Sequence, residues 1–150
     1  MNTKQLESFF RLIGTKIKSF DVKNDFVTAG SDLSEKIKTD VSYVVAIPDV
    51  VDKIWFSTLT LTVKGRCNIR DIGKFSFSLV IEGGFQAPQD LPREKFIHML
   101  KVNGSASLYS IARGFITSTT SQVFSGGNLV LPLIDMVKLT ELQDKNNDAN

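Results

Sequence analysis

Cysteine, histidine, polar-tipped aromatics and long apolar runs are all scarce in this 150-residue chain. With one cysteine, Cys67, no internal disulfide can form and no cysteine-based metal cluster is spelled out. With one histidine, His98, a Cys–His pair is the only dyad available, and no third group is placed to orient it. Cys67 falls in an expected hairpin loop among Lys64, Arg66 and Arg70 and reads as an ordinary turn cysteine. No element carries paired carboxylates, and Glu82-Gly83-Gly84 lacks the rest of a phosphate-loop pattern. These gaps argue against an enzyme, a cofactor or a metal. No apolar run approaches the roughly 20 residues of a membrane span. Glu7 and Arg11 interrupt what would be the apolar region of a signal peptide, so the expectation is a cytoplasmic protein without membrane insertion. Charge of one sign is lacking too. The net charge of +2 and the scattered Lys and Arg exclude the basic stripe of a nucleic-acid binder, and the RNA-recognition signature is missing.

What is present is phenylalanine, eleven against two tyrosines and one tryptophan, which suits a deep core or an adhesive surface. Residues 10–22 read as an edge strand, with lysines that discourage unwanted pairing. A helical start over Thr3–Phe10 is the other option there. A long polar connection over 23–40 carries isolated apolar points at Phe26, Val27, Leu33 and Ile37. Alternation then puts Val41, Tyr43, Val45 and Ile47 on one strand face, ended by Pro48-Asp49. The next strand sets Trp55, Ser57, Leu59, Leu61 and Val63 against Ile54, Phe56 and a row of threonines. A loop from Gly65 to Gly73 leads to a strand with Phe75, Phe77, Leu79 and Ile81 on one face.

After Pro92 the period changes from 2 to 3.6, predicting a short helix that Asn103-Gly104 breaks. Ser105 or Ser107 is placed to cap the next one. Its apolar stripe is Leu108, Ile111, Ala112, Phe115, Ile116, Thr119 and Val123. Between Leu108 and Asp135 only Arg113 and Asp135 carry a charge at neutral pH. A solvated helix normally carries Lys and Glu on its outer side. Here that side is Ser110, Gly114, Thr117 and Ser121, which predicts a second close-packed face, such as helix against helix across an oligomer interface. Gly126-Gly127 stops the helix, and Asp135 caps a last helix bearing Met136, Leu139 and Leu142. The expected class is α+β, with one domain over 1–143 and a disordered polar tail over 144–150.

The stretch "LYSIAR…SGGNLVLPLID" resembles the bacterial SecB export-chaperone family, whose helix reads Leu-Phe-Pro-Tyr-Ala-Arg-Glu before a Gly-rich break and an apolar Leu-x-Pro run. Leu108, Tyr109, Ala112, Arg113, Gly126 and Pro132 match, whereas Ser110, Ile111 and Gly114 depart from it. Upstream, "KIKSFD" at Lys16–Asp21 is similar to the family's first-strand Lys-Asp-x-Ser-Phe-Glu, and Gly83-Gly84-Phe85 to its Gly-x-Phe. The strand around Ile54, Trp55, Leu59 and Val63 is similar as well. The matches are colinear from Phe10 to Leu142.

The resemblance implies a four-stranded antiparallel sheet with two main helices C-terminal to it. It implies a homotetramer, a dimer of dimers with the 105–124 helix at an interface. It implies a holdase that binds unfolded clients, such as preproteins for export, without catalysis or nucleotide. The implied client groove holds Phe26, Val27, Leu33, Val41, Tyr43, Val45 and Trp55, with Met136 and Leu142 opposite. SecA is the partner implied for export. Export-type relatives are acidic, however, and a +2 chain with only Asp144 and Asp148 against Lys145 in its tail departs from them. Two other functions stay open: a SecB-like chaperone of a toxin–antitoxin system that stabilises an antitoxin, and a non-catalytic module that recognises a folded partner.

Overall fold

The computed structural model describes residues 9–27, 36–124 and 127–150. Five strands come first: β1 (Arg11–Asn24), β2 (Lys38–Val45), β3 (Asp49–Val51), β4 (Ile54–Ile69) and β5 (Gly73–Pro88). Helix α1 (Arg93–Met99), a π-helical turn (Leu100–Gly104), α2 (Ser105–Val123) and α3 (Met136–Asp148) follow. All strand pairs are antiparallel, in the order β1-β5-β4-β2, and three-residue β3 takes up the rest of the β4 edge beside β2. This is the expected α+β architecture, with four principal strands and a short fifth.

Alternation dictates the two faces of the sheet. Leu59, Leu61, Val63 and Cys67 of β4 and Phe75, Phe77, Leu79, Ile81 and Phe85 of β5 point to the helices and are buried. Each such apolar side chain contributes about 1.5–3 kcal/mol on burial. The other face carries Thr58, Thr60, Thr62, Ser76 and Ser78, half-buried only by their neighbours. Helix and sheet approach closely at two glycines. A Cβ on Gly83 would lie 2.7 Å from Leu108, and one on Gly104 3.3 Å from the Phe85 ring.

Several expectations need correction. The β4–β5 turn is shorter than Gly65–Gly73, because both strands run almost to its tip. Cys67 therefore sits inside β4, buried opposite Phe75, and not in a loop. Ile47 lies beyond the end of β2 and is exposed. Asn103-Gly104 does not break the helix. The π turn carries the chain directly from α1 into α2, and Ser105 and Ser107 hydrogen-bond back to the carbonyls of Lys101 and Asn103 rather than capping. The buried stripe of α2 is Ser105, Leu108, Tyr109, Ala112, Ile116 and Thr120, rotated so that Ile111 is exposed and Phe115 only half-buried. Helix α3 continues through Asp148, into the polar segment where disorder was expected. Gly126 and any helix within residues 1–8 lie outside the described residues. Gly127 has φ +77°, the left-handed region a glycine adopts without strain.

Between α2 and α3 the chain over 127–135 is neither helix nor strand and has no ladder partner, so its polar backbone groups must be satisfied in another way. Side chains of α2 do this. The Leu129 N–H donates to Thr120 Oγ1 at 2.9 Å, and that hydroxyl donates to the Ile116 carbonyl at 2.7 Å. Arg113 Nε donates to the Leu131 carbonyl at 3.0 Å, and the Tyr109 hydroxyl to the Pro132 carbonyl at 2.6 Å. The segment thus lies antiparallel to α2, with Leu129 and Leu131 turned into the core. At its end Asp135 caps α3, its Oδ1 accepting from Val137 N and Lys138 N at 3.0 and 3.2 Å.

Thr120→Val keeps the side-chain shape but leaves the buried Leu129 N–H without an acceptor. It should lower stability by about 1–3 kcal/mol, measured as a fall in the urea midpoint, whereas Thr119→Val should cost less. Equal midpoints for wild type and Thr120→Val would remove the strap from the account of stability.

Candidate functional site

Strand β2 lies at one edge of the sheet, and α3 packs along it. Between them is an open cleft of about 710 Å³, lined by Asp40 to Val45 on one side and by Leu139, Leu142, Gln143, Asp144, Asn146 and Asn147 on the other, with Lys101 at the base. Three contacts hold its walls together. The Tyr43 hydroxyl meets Thr140 Oγ1 at 2.7 Å, and Thr140 Oγ1 reaches the Lys101 carbonyl at 3.4 Å. Lys101 Nζ pairs with Asp144 at 2.9 Å. Burial raises the pKa of the Tyr43 phenol above its ordinary value, although the Thr140 bond acts against that.

A fourth contact, from Gln143, has a particular geometry. The Gln143 side chain accepts from the Tyr43 N–H at 3.2 Å and donates to the Tyr43 carbonyl at 3.3 Å. One amide thereby occupies the outward donor and acceptor of Tyr43, as a neighbouring strand would. The next residue of that ladder toward β4 is even-numbered: Ala46 N donates to Thr58 O at 2.9 Å. By the antiparallel alternation, the N–H and C=O of Val41 and Val45 also point outward along this edge. The edge is short. Pro48 interrupts it, and the Ser57 hydroxyl donates to the Ala46 carbonyl at 2.7 Å where β2 gives way to β3.

The expected groove residues divide between places. Val41, Tyr43, Val45 and Leu142 line the cleft together. Val41 and Tyr43 are nonetheless buried with the core, whereas Leu142 is 60% exposed. Trp55 belongs elsewhere. Its ring stacks on Phe96 and its Nε1–H donates to the Leu91 carbonyl at 2.8 Å. Met136 is buried at the start of α3 and does not line the cleft. Phe26 is half-buried at the far end of β1, where the Asn24 side chain bonds both its N–H and its C=O, and Val27 beside it is exposed. Leu33 lies outside the described residues. Missed by the sequence reading were Gln143, Thr140 and Lys101, polar residues whose role appears only when α3 is laid on β2.

Of the expected interface residues, Ser110, Gly114 and Ser121 are exposed on α2 and Thr117 is half-buried. A Cβ on Gly114 would meet nothing within 4 Å. Strand β1, the other sheet edge, is exposed along most of its length, with Leu12, Ile13 and Ile17 each at least 40% accessible. Among the described residues no group of three or more His, Cys, Asp or Glu side chains is placed to hold a metal ion, and no helix is long and apolar enough to cross a membrane.

No protein-family profile matches the chain, and no curated protein matches it. Among solved structures it is similar to the Mycobacterium tuberculosis SecB-like chaperone Rv1957, solved in complex with a ChAD peptide from the antitoxin HigA1. The TM-score is 0.53 at 10% identity, over 83% of this chain and 90% of that one. A Streptococcus agalactiae protein of unknown function aligns with TM-score 0.47 at 15% identity, over 83% and 97%. The fold of the chain is thus SecB-like.

If the Gln143 amide shields the Tyr43 backbone, Gln143→Ala should speed hydrogen exchange at the Tyr43 amide by about tenfold, the equivalent of one hydrogen bond. Exchange followed by NMR tests this, and an unchanged Tyr43 rate would mean that the contact does not protect the edge.

Proposed function

We propose that this SecB-like chain is a chaperone that holds unfolded or partly folded client polypeptides in the cleft between β2 and α3, without catalysis, cofactor or nucleotide. The observation that carries the reading is the edge of β2 beside an apolar-lined cleft, with Gln143 in the position of a missing strand. A client segment supplies what such an edge takes: extended backbone for Val41 and Val45, and apolar side chains for Leu142 and Leu139. Binding through backbone is indifferent to sequence, which a holdase requires. Displacing Gln143 exchanges one pair of hydrogen bonds for another, so the cost of opening is small. Apolar area sets the affinity at about 25 cal/mol per Å², offset by the ordering of the client.

The antitoxin peptide bound by the structurally similar Rv1957 favours an antitoxin as the client over an export preprotein. The net charge of +2 points the same way, since delivery to SecA would lack the acidic complement. The protein acts in the cytoplasm on this reading. It acts as an oligomer, a homotetramer by family resemblance. The small, bare outer face of α2 and the open edge of β1 are the surfaces available for further copies.

Two experiments test these points. Leu142→Glu changes an exposed cleft residue only, and should weaken suppression of client aggregation by roughly tenfold or more, about 1.4 kcal/mol per decade. Wild-type holding by the folded variant would place the client elsewhere. Gly114→Glu sets a charge in the α2 face and should yield smaller assemblies by light scattering, because an unpaired buried charge costs several kcal/mol. An unchanged mass would reject α2 as the interface.

A further inference from the structure

The helices cover one face of the sheet and leave the other bare. Near the β4–β5 turn, strand register aligns two rows of side chains across that bare face. One row runs Asp21, Ser78, Lys64, Asp40 and the next Lys23, Ser76, Arg66, Lys38, in each case from β1 through β5 and β4 to β2. Together they line a shallow depression of about 660 Å³. The first row alternates in sign. The second holds three cations and no carboxylate.

This second row has features that the fold does not need. Arg66 and Lys38 stand directly opposite each other on neighbouring strands, a like-charge pairing that weakens a sheet. Among the described residues none of Lys23, Lys38, Lys64 and Arg66 is in an ion pair. Elsewhere Lys16 and Lys18 share Glu82, and Lys101 holds Asp144. All four cations are exposed, with the Ser76 and Ser78 hydroxyls between them.

We propose that the Lys23–Ser76–Arg66–Lys38 row docks a carboxylate-rich, extended segment of a partner protein, on a surface separate from the client cleft. The spacing fits. Three inter-strand steps of about 4.8 Å place the outer cations roughly 14 Å apart, and alternate side chains of an extended peptide, at positions i, i+2 and i+4, span about 13 Å. Acidic residues at alternate positions therefore meet the row, while the residues between them face away. A nucleic acid fits less well. Asp21 and Asp40 flank the row on the same face and would repel a continuous phosphate backbone. The nearby rings of Phe75 and Phe77 are buried on the opposite face, so no aromatic platform is offered to bases.

The probe is a fluorescein-labelled octapeptide alternating glutamate and threonine, with glutamine replacing glutamate in the control and a short oligothymidylate as competitor class. Anisotropy is read at about 50 mM salt, where the Debye length is roughly 14 Å. The glutamate peptide binds and the glutamine peptide does not. Lys38→Glu with Arg66→Glu weakens binding by roughly tenfold or more, and Lys16→Gln leaves it unchanged. Should the reversal variant fail to fold, Lys38→Gln with Arg66→Gln carries the same comparison. Equal binding of the two peptides, wild-type binding by the folded variant, or tighter binding of oligothymidylate overturns the proposal. Client holding is unaffected by Lys38→Glu with Arg66→Glu, so the docking surface and the chaperone reading stand or fall separately.

Discussion

The strap after α2 is the constraint on which the rest of the molecule depends. It is backbone without a ladder, crossing a helix, and its polar groups would be costly to leave unpaired. Tyr109, Arg113 and Thr120, spaced along one side of α2, provide a donor, a donor and an acceptor in the order the strap needs them. Leu129 and Leu131 then fall into the core. The position of Asp135 follows from this fastening, and with it the direction of α3. The cleft along β2 exists because the strap delivers α3 there.

A chain of contacts passes from the same helix to the cleft. The π turn keeps α1 and α2 one continuous element, with Lys101 facing α3. Thr140 links that turn to Tyr43 of the edge strand. Sheet edge, helical layer and last helix therefore meet at one small polar network set into apolar surroundings. Apolar residues give the cleft its surface and polar ones set its width. The single amide of Gln143 lies where the two kinds of contact meet.

The faces of β4 and β5 were legible in the sequence because alternation is enforced over a long run. One slipped residue would have turned Leu59, Leu61 and Phe77 into solvent. The matched residues Tyr109, Arg113 and Pro132 were legible as a pattern, but not as a fastening, since their bonds join residues about twenty positions apart. Local signals failed where tertiary packing overrode them. Asn103-Gly104 looked like a helix stop, yet a close approach to Phe85 uses that glycine within a π turn. Ile111 continued an apolar stripe that the true contact face, through Tyr109 and Thr120, leaves aside. At the cleft, the shared face of Val41, Tyr43 and Val45 could be read from period-two spacing, and their place in a groove only from the family resemblance. Gln143 could not, because nothing marks a glutamine in a polar helix as a backbone partner for a strand 100 residues earlier.

The two sheet edges are unlike. β1 is long and carries bulges near Ile13 and Lys18, and β2 is short, broken at Pro48 and occupied at Tyr43 by Gln143. Head-to-tail stacking of sheets, the route to an open-ended filament, would need β1 of one copy to run in register along β2 of the next. The bulges bend the first edge away from a flat template, and the amide caps the second at its middle. Neither edge of the sheet therefore offers another copy a long, flat, unoccupied template.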